Sequence, residues 1–448
     1  MARKSALAVA GVILAAAAAC DGASGQSAGQ DSDLTGVTVE VAATWSGIER
    51  ENFQAVLDAF AEKTGATVKY TAGGIDLPVL LNSRIAGGSP PDVALVAQPG
   101  VVSALVSRGA LVPLSGSAAD AVTDNYSDAW QSLGAVGGTR YGFYFKVANK
   151  SVIWYRVKSF EDAGVKPPAT WDDLTAVSRT LADSGTTPMV AAGGDGWVLT
   201  DWFENAFLRI GGAEKYDKLA RHEIPWTDPA VVKTLTLLGE YWQTPKMILN
   251  RPAGATQITF TQAISDVFGV APKAAMLFEG NFVAAEITKL GRSTVGQTAK
   301  FFPWPSIGGS APAVVTAGDQ AVQLKDTTEA RALMTFLASP EAAAIMTAKG
   351  GFISANAKVD QSSYPDPTTR ALAGAVVEAE LLRFDLSDLT PQRFGGGSNA
   401  ALWVLLQDFL EKGLDARSVA QRLEDAAQKE YGAGRARPPD SARPAPVP

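Results

Sequence analysis

Val37-Thr38-Val39-Glu40-Val41 alternates apolar and polar side chains, and Phe53, Val56, Leu57 and Phe60 then recur at helical spacing before Gly65. The first pattern predicts a strand, the second one face of a helix. Working outward, residues 66–72 predict a second strand. Leu77 to Ala86 predicts a helix that Gly87-Gly88 ends. Pro90-Pro91 leads into Asp92-Val93-Ala94-Leu95-Val96-Ala97, a short apolar run of the kind buried in a parallel sheet. Val101 to Ser107 predicts the next helix, stopped at Gly109. This order of strand, helix, strand, helix, strand predicts an α/β fold with helices on both faces of a parallel sheet.

A similar pattern restarts near Tyr141, with strand signals over 141–148 and 152–155. Thr170-Trp171-Asp172-Asp173 has the form of a capping box opening a helix with Leu174, Val177 and Leu181 on one face. Ser339-Pro340-Glu341 opens another helix, with Ser as N-cap and Gly350 past its end. Leu402, Leu405, Leu406 and Phe409 mark a late amphipathic helix. Some 400 residues between the chain ends suffice for two domains.

The N-terminus supplies an address. Arg3 and Lys4 precede an unbroken apolar run, Ala6 to Ala19, which Cys20 closes. That is the build of a secretory signal, and the run is shorter than the roughly 20 residues a membrane span needs. The segment resembles a bacterial lipoprotein signal, cut just before a cysteine that takes the lipid. Ala17 stands where that pattern prefers Leu. Residues 1–19 are then the signal, 20–34 a Gly/Ser/Gln-rich flexible tether and 433–448 a Pro/Ala/Arg-rich disordered tail. The implied location is the outer face of the cytoplasmic membrane, with a lipid anchor at Cys20.

The formal charge of −7 gives no basic footprint for nucleic acid. Cys20 is the only cysteine, so no internal disulfide can form, and His222 is the only histidine. A single His excludes His-rich metal sites, and no metal or cofactor is expected. Within Arg221-His222-Glu223 it reads as a surface residue.

Specific strings carry more than periodicity. They are Ser89-Pro90-Pro91-Asp92-Val93, Val152-Ile153-Trp154-Tyr155, Pro167-Pro168-Ala169-Thr170-Trp171-Asp172-Asp173-Leu174, Ala274 to Phe282, and Phe336 to Ala342. In this order and spacing they resemble the substrate-binding proteins of carbohydrate ABC transporters, the maltose-binding-protein-like family, over about 37–431. Thr200-Asp201-Trp202-Phe203-Glu204, His222 to Pro225, Gly350 to Ser354, Tyr364-Pro365-Asp366 and Arg383 to Leu389 resemble the alpha-glucoside-binding branch. Two cysteines common in that branch, near Met189-Val190 and Ala274-Ala275, are absent.

The resemblance implies a two-lobed periplasmic-binding-protein fold (type II), each lobe a mostly parallel sheet flanked by helices, joined by three hinge crossings. Lobe one would be 35–145 plus 313–354, lobe two 146–312 plus 355–432, with the hinge near Lys146, Ala313 and Ser354. It also implies a monomeric receptor that closes on a sugar and docks on permease subunits in the membrane.

A sugar cleft needs aromatic rings against the C–H faces and carboxylates or amides for the hydroxyls. Trp45 follows the first strand, Gln98 the third, at strand ends where clefts of α/β sheets lie. Trp197 and Trp202 flank Asp201, Phe282 follows Glu279 and Asn281, and Trp403 starts the late helix. Glu49 completes the candidates near Trp45. Several alternatives stay open. Trp202 is ligand platform or core. Asp92 is a strand-start cap or a hydroxyl acceptor, and Asp319 is hinge structure or ligand contact. Arg383 and Asp385 contact ligand or pair with each other, and Phe352 lines the cleft or packs beneath it. Trp154 and Trp171 read as packing.

Two other classes compete. A secreted glycoside hydrolase would use two carboxylates such as Asp201 and Glu204, three apart on a helix, but no hydrolase, Gly-x-Ser-x-Gly or nucleotide-loop motif accompanies them. A receptor for a glycerophosphodiester or another polar metabolite would want an Arg or Lys cluster, which the aromatic and acidic candidates do not supply.

Overall fold

The computed structural model describes residues 33–433, apart from 351, 378 and 398. The expected signal, Cys20, the tether up to residue 32, Gly351 and the tail from 434 lie outside the described residues. Leu34, expected in the tether, is buried, and its N–H donates to Thr64 O at 2.7 Å. The folded body therefore begins earlier than composition suggests.

Among the described residues twelve strands appear: β1 (Thr38–Ala43), β2 (Thr67–Ala72), β3 (Val93–Val96), a short hairpin of β4 (Ala135–Val136) and β5 (Thr139–Arg140), β6 (Gly142–Asn149), β7 (Val152–Arg156), β8 (Thr187–Val190), β9 (Ala274–Phe278), β10 (Ala299–Pro303), β11 (Val314–Gln323) and β12 (Leu382–Phe384). They form two main sheets. The first runs β12–β11–β3–β1–β2, with β6 also on β11. The opening stretch builds it as expected: β1 pairs in parallel with β2 and with β3, whose four side chains are all buried. The helix Gly47–Thr64 connects β1 to β2 and buries Phe53, Val56, Leu57 and Phe60. It stops at Gly65, whose φ of 74° is left-handed and whose N–H caps Ala61 O. A Cβ there would also lie 2.6 Å from Thr35 Oγ1.

The second sheet runs β10–β7–β9–β8. It is mixed rather than mostly parallel: β7 is antiparallel to β9 and β10, and only β8 with β9 is parallel. The cause is topological. Strand β7 carries the chain away from the first sheet, while its neighbours run back toward it. The expected capping box is present, with Asp173 N–H donating to Thr170 Oγ1 and Thr170 N–H to Asp173 Oδ2. Ser339 caps the helix Pro340–Thr347 with a single bond, its hydroxyl accepting from Ala342 N–H.

Between the sheets the chain passes at Lys150-Ser151, again between Pro303 and Val314, and a third time after Phe384. Strand β12, which the sequence reading placed in lobe two, pairs with the start of β11 in the first sheet. The helix Pro367–Val377 also packs on β6 and β11, burying Leu372 and Ala373. Ser354 is thus not a passage between sheets; Ile353 still bridges to Val147. The three passages are laced together. Lys150 N–H donates to Val315 O, Val315 N–H to Ser151 Oγ, and Asp385 N–H to Thr316 O.

Candidate ligand-binding site

Where the passages meet, one lysine collects carboxylates from three directions. Lys150 Nζ lies 3.1 Å from Asp201 Oδ1 and 2.6 Å from Asp385 Oδ2. Asp201 belongs to the helix Trp197–Ala220, and Asp385 caps the short helix Leu386–Leu389. Glu204, one turn on from Asp201, accepts from the N–H groups of Leu386 and Ser387 and from the Tyr216 hydroxyl. Glu279 stands just past the end of β9, with Oε2 accepting from Gly280 N–H. All four carboxylates are buried.

One ammonium cannot neutralise this group, and the proton affinities divide accordingly. Burial works against the Lys150 charge, but Asp201 and Asp385 outweigh it and hold the ammonium well above its usual range. Burial pushes Asp385 up, and Lys150 outweighs that too, leaving its carboxyl at about 2. Burial raises Asp201 and Glu204 well above the carboxylate range, and lifts Glu279 to about 7 against the pull of Lys150. Apart from each other, Asp201 Oδ2 and Glu279 Oε1 meet no donor in the protein, and the two carboxyls share a hydrogen bond when one holds a proton. Buried acceptors left this way are costly unless something fills them.

Asp201, Glu204 and Asp385 each bring an oxygen within 4.8 Å of the others, a spacing that suits a metal ion. The donor set does not fit one. The Lys150 ammonium already stands between two of these carboxylates, and backbone N–H groups occupy both oxygens of Glu204.

A second lysine, Lys146 on β6, ion-pairs with Glu49 and lies 3.8 Å from Asp319. Its ammonium sits 5.5 Å from the Trp45 ring centre and 5.7 Å from that of Phe282. Lys150 stands 5.2 Å from the Trp197 ring centre. Trp197 and Phe282 are half-buried, 6.1 Å apart, and form one aromatic wall with Phe260. Gln98 Oε1 and the Tyr144 hydroxyl are further buried polar atoms without partners.

Comparison with known proteins gives this arrangement a context. The family model for bacterial extracellular solute-binding proteins matches residues 45–344. The chain belongs to this family. Such solute-binding proteins are receptors, not enzymes, so the hydrolase alternative falls. An osmoprotective compounds-binding protein of Synechocystis sp. is 33% identical over 89% of this chain and 94% of its own length. An alpha-glucosides-binding periplasmic protein of Rhizobium meliloti is 31% identical over 88% of each. Among solved structures, the solute receptor AcbH superposes with a TM-score of 0.76 at 20% identity, covering 88% of this chain and 99% of that one. The GacH receptor of Streptomyces glaucescens gives 0.73 at 17%, covering 88% and 98%. These two show the shared two-lobed fold. No described helix is long and apolar enough to cross a membrane.

Of the residues singled out by sequence, the solute-binding fold gathers Asp201, Glu279, Asp385 and Trp197 around Lys150. It gathers Glu49, Trp45, Phe282 and Asp319 around Lys146. Asn281 ties the passages, its Oδ1 accepting from Asn149 N–H at 2.8 Å. Gln98 lies beside Gly396. Trp403 is buried, with its indole N–H on Gly395 O and its Cβ where a Cβ on Gly196 would clash. Trp45 is buried against Phe53 and Phe145, and it meets the site through Lys146 and Asp319.

Four expectations are corrected. Trp202 is fully buried among Phe278, Trp304, Tyr241 and Trp242, and is core. Asp92 opens β3 at the end away from Gln98, where it accepts from Glu40 N–H and pairs with Lys325. Arg383 pairs with Asp217 at 2.7 Å, not with Asp385. Phe352 packs beneath the surface on Phe145. Sequence reasoning named Lys146 only as a hinge position and missed Lys150 and Tyr144. The signal for Lys150 was the polar triplet Asn149-Lys150-Ser151 between two apolar strands, with no Gly or Pro to make it a turn.

Proposed function

We propose that this solute-binding protein captures a sugar, an alpha-linked glucoside or short oligosaccharide, between its lobes and passes it unaltered to ABC permease subunits. The observation that carries this reading is the pair of buried carboxyls, Asp201 and Glu279, which share a hydrogen bond with each other but whose Oδ2 and Oε1 meet no donor from any other residue, next to the Trp197–Phe282 wall. Sugar hydroxyls donate to such oxygens while the C–H faces lie on the rings. The name of the R. meliloti relative supports an alpha-glucoside. The Synechocystis relative, named for osmoprotective compounds, favours a second reading, a small polyhydroxylated osmolyte. A phosphodiester fits less well, because Lys146 and Lys150 already face two carboxylates each.

Ligand contacts to both lobes would favour a closed form, bending at the laced passages. The chain would be tethered outside the cytoplasmic membrane through a lipid on Cys20, and fatty-acid labelling lost in C20A would support that. A calorimetric panel of maltose, trehalose, sucrose, longer glucans and a glycerophosphodiester tests the ligand class. Heat with a sugar and a smaller radius of gyration on saturation are expected. Binding of the phosphodiester alone would overturn the reading.

A further inference from the structure

The second sheet has another recess, at the end opposite the ligand-binding cluster. Strand β7 runs from Val152 beside the passages out to Arg156, and β9 runs from Ala274 back to Phe278, next to Glu279. Five residues of strand put this far end roughly 15 Å from Glu279. A cavity of about 190 Å³ opens there, lined among others by Arg156, Ser159, Asp162, Thr186, Thr187 and Lys273. One water takes about 30 Å³ of liquid, so the space holds a tetrahedral oxyanion with part of its hydration shell.

Charge accounting around the cavity leaves one charge over. Asp162 is bonded through both oxygens to Lys158, at 2.8 and 2.9 Å. Lys273 is held by Asp266 at 2.8 Å. Arg156 has no carboxylate within ion-pair distance among the described residues; its one contact to a side chain is a long 3.5 Å approach to Ser159 Oγ. An unpaired guanidinium offers a planar fork of donors matched to two oxygens of an anion. The hydroxyls of Ser159, Thr186 and Thr187 add donors around it.

We infer that this recess is a second, oxyanion-binding site that takes a phosphate group, separate from the ligand cluster and built on Arg156 with the Ser159, Thr186 and Thr187 hydroxyls. The phosphate is either free in solution or the headgroup of an anionic lipid.

The test is an amide chemical-shift titration of the purified mature protein with inorganic phosphate, against sodium chloride at matched ionic strength. Saturable shifts at residues 156, 159, 186 and 187 are expected, weakened at least tenfold in R156Q. R156K, which keeps the charge but not the fork, should be intermediate. A melting curve for each variant establishes that it is folded. In a parallel arm, vesicles of phosphatidylcholine with and without phosphatidylglycerol are sedimented with protein lacking Cys20. Arg156-dependent co-sedimentation with the anionic vesicles alone identifies a headgroup; phosphate shifts without it identify a free oxyanion. Neither response, or responses equal in R156Q, overturns the proposal. The sugar reading stands or falls separately, because neither arm contains a sugar.

Discussion

Lys146 and Lys150 stand four residues apart along the segment that leaves the first sheet, and each faces two carboxylates, yet their surroundings differ. The Glu49 side chain is 34% exposed, so the Lys146 pair can exchange with water. Around Lys150, Asp201 and Asp385 are buried and drawn from separate segments. The difference teaches that charge at this junction serves two ends. Lys146 forms an adjustable rim contact between aromatic rings, and Lys150 fixes the place where three passages meet.

Removing each cation should separate the two. K150M leaves Asp201 and Asp385 buried without a counter-charge, and stability by urea denaturation should fall by about 3–5 kcal/mol. K146M lets Glu49 turn to solvent but strips one buried carboxylate, Asp319, of its more distant counter-charge, and should cost less than K150M, about 1–3 kcal/mol. Equal losses would erase the distinction. The aromatic residues extend it. W202A empties core space and should cost about 3–5 kcal/mol of stability. W197A should spare the fold and cost about 1–3 kcal/mol of ligand affinity instead. Melting and calorimetry on both variants decide this, and a W197A with full affinity would take that ring out of the site.

A further effect lies in pH. Glu279 is raised to about 7, so the folded state keeps a proton that the unfolded chain has lost. Its contribution is full below its ordinary 4.5 and disappears as pH rises through about 7. Asp385 works the other way. Held at about 2, it contributes above its ordinary 3.8, and that contribution is lost as pH falls through about 2. Stability of the unliganded protein should therefore decline from pH 5 to pH 8; Asp201 and Glu204 are raised in the same direction, so E279Q should make that limb shallower rather than remove it, while D385N should remove Asp385's contribution to the acid limb. A melting series across pH reads both, and an unchanged neutral limb in E279Q would remove Glu279 as its source.

Much of the fold was legible because its signals are local. The Thr170–Asp173 box, the Ser339 cap and Gly65 each act within a few residues. The place of β12 was not legible, since three residues carry no periodicity and only pairing with β11 assigns them a sheet. The site divides in the same way. Trp45 and Gln98 were found because strand C-terminal ends have a meaning in α/β folds. Asp92 shares its strand with Gln98 but sits at the other end, and alternation cannot weigh one end against the other. Trp202 lies where the helix Trp197–Ala220 is buried on all sides from Val198 to Arg209, so no polar face marks which way it looks. Lys150 reads as a surface residue until three distant segments enclose it.

The origin of the two sheets also bears on how the chain leaves the ribosome. Strands β7 to β10 come from one uninterrupted stretch, whereas the first sheet is delivered in three instalments, ending with β12. The inner sheet can be complete before β11 has been made. Until then β3 has no partner on the side that β11 will cover, and at roughly 5–20 residues per second that edge stays bare for on the order of 10–40 s. Synthesis thus exposes an apolar, sticky margin for longer than most small domains take to fold, which makes β3 the natural place to look for chaperone capture during export.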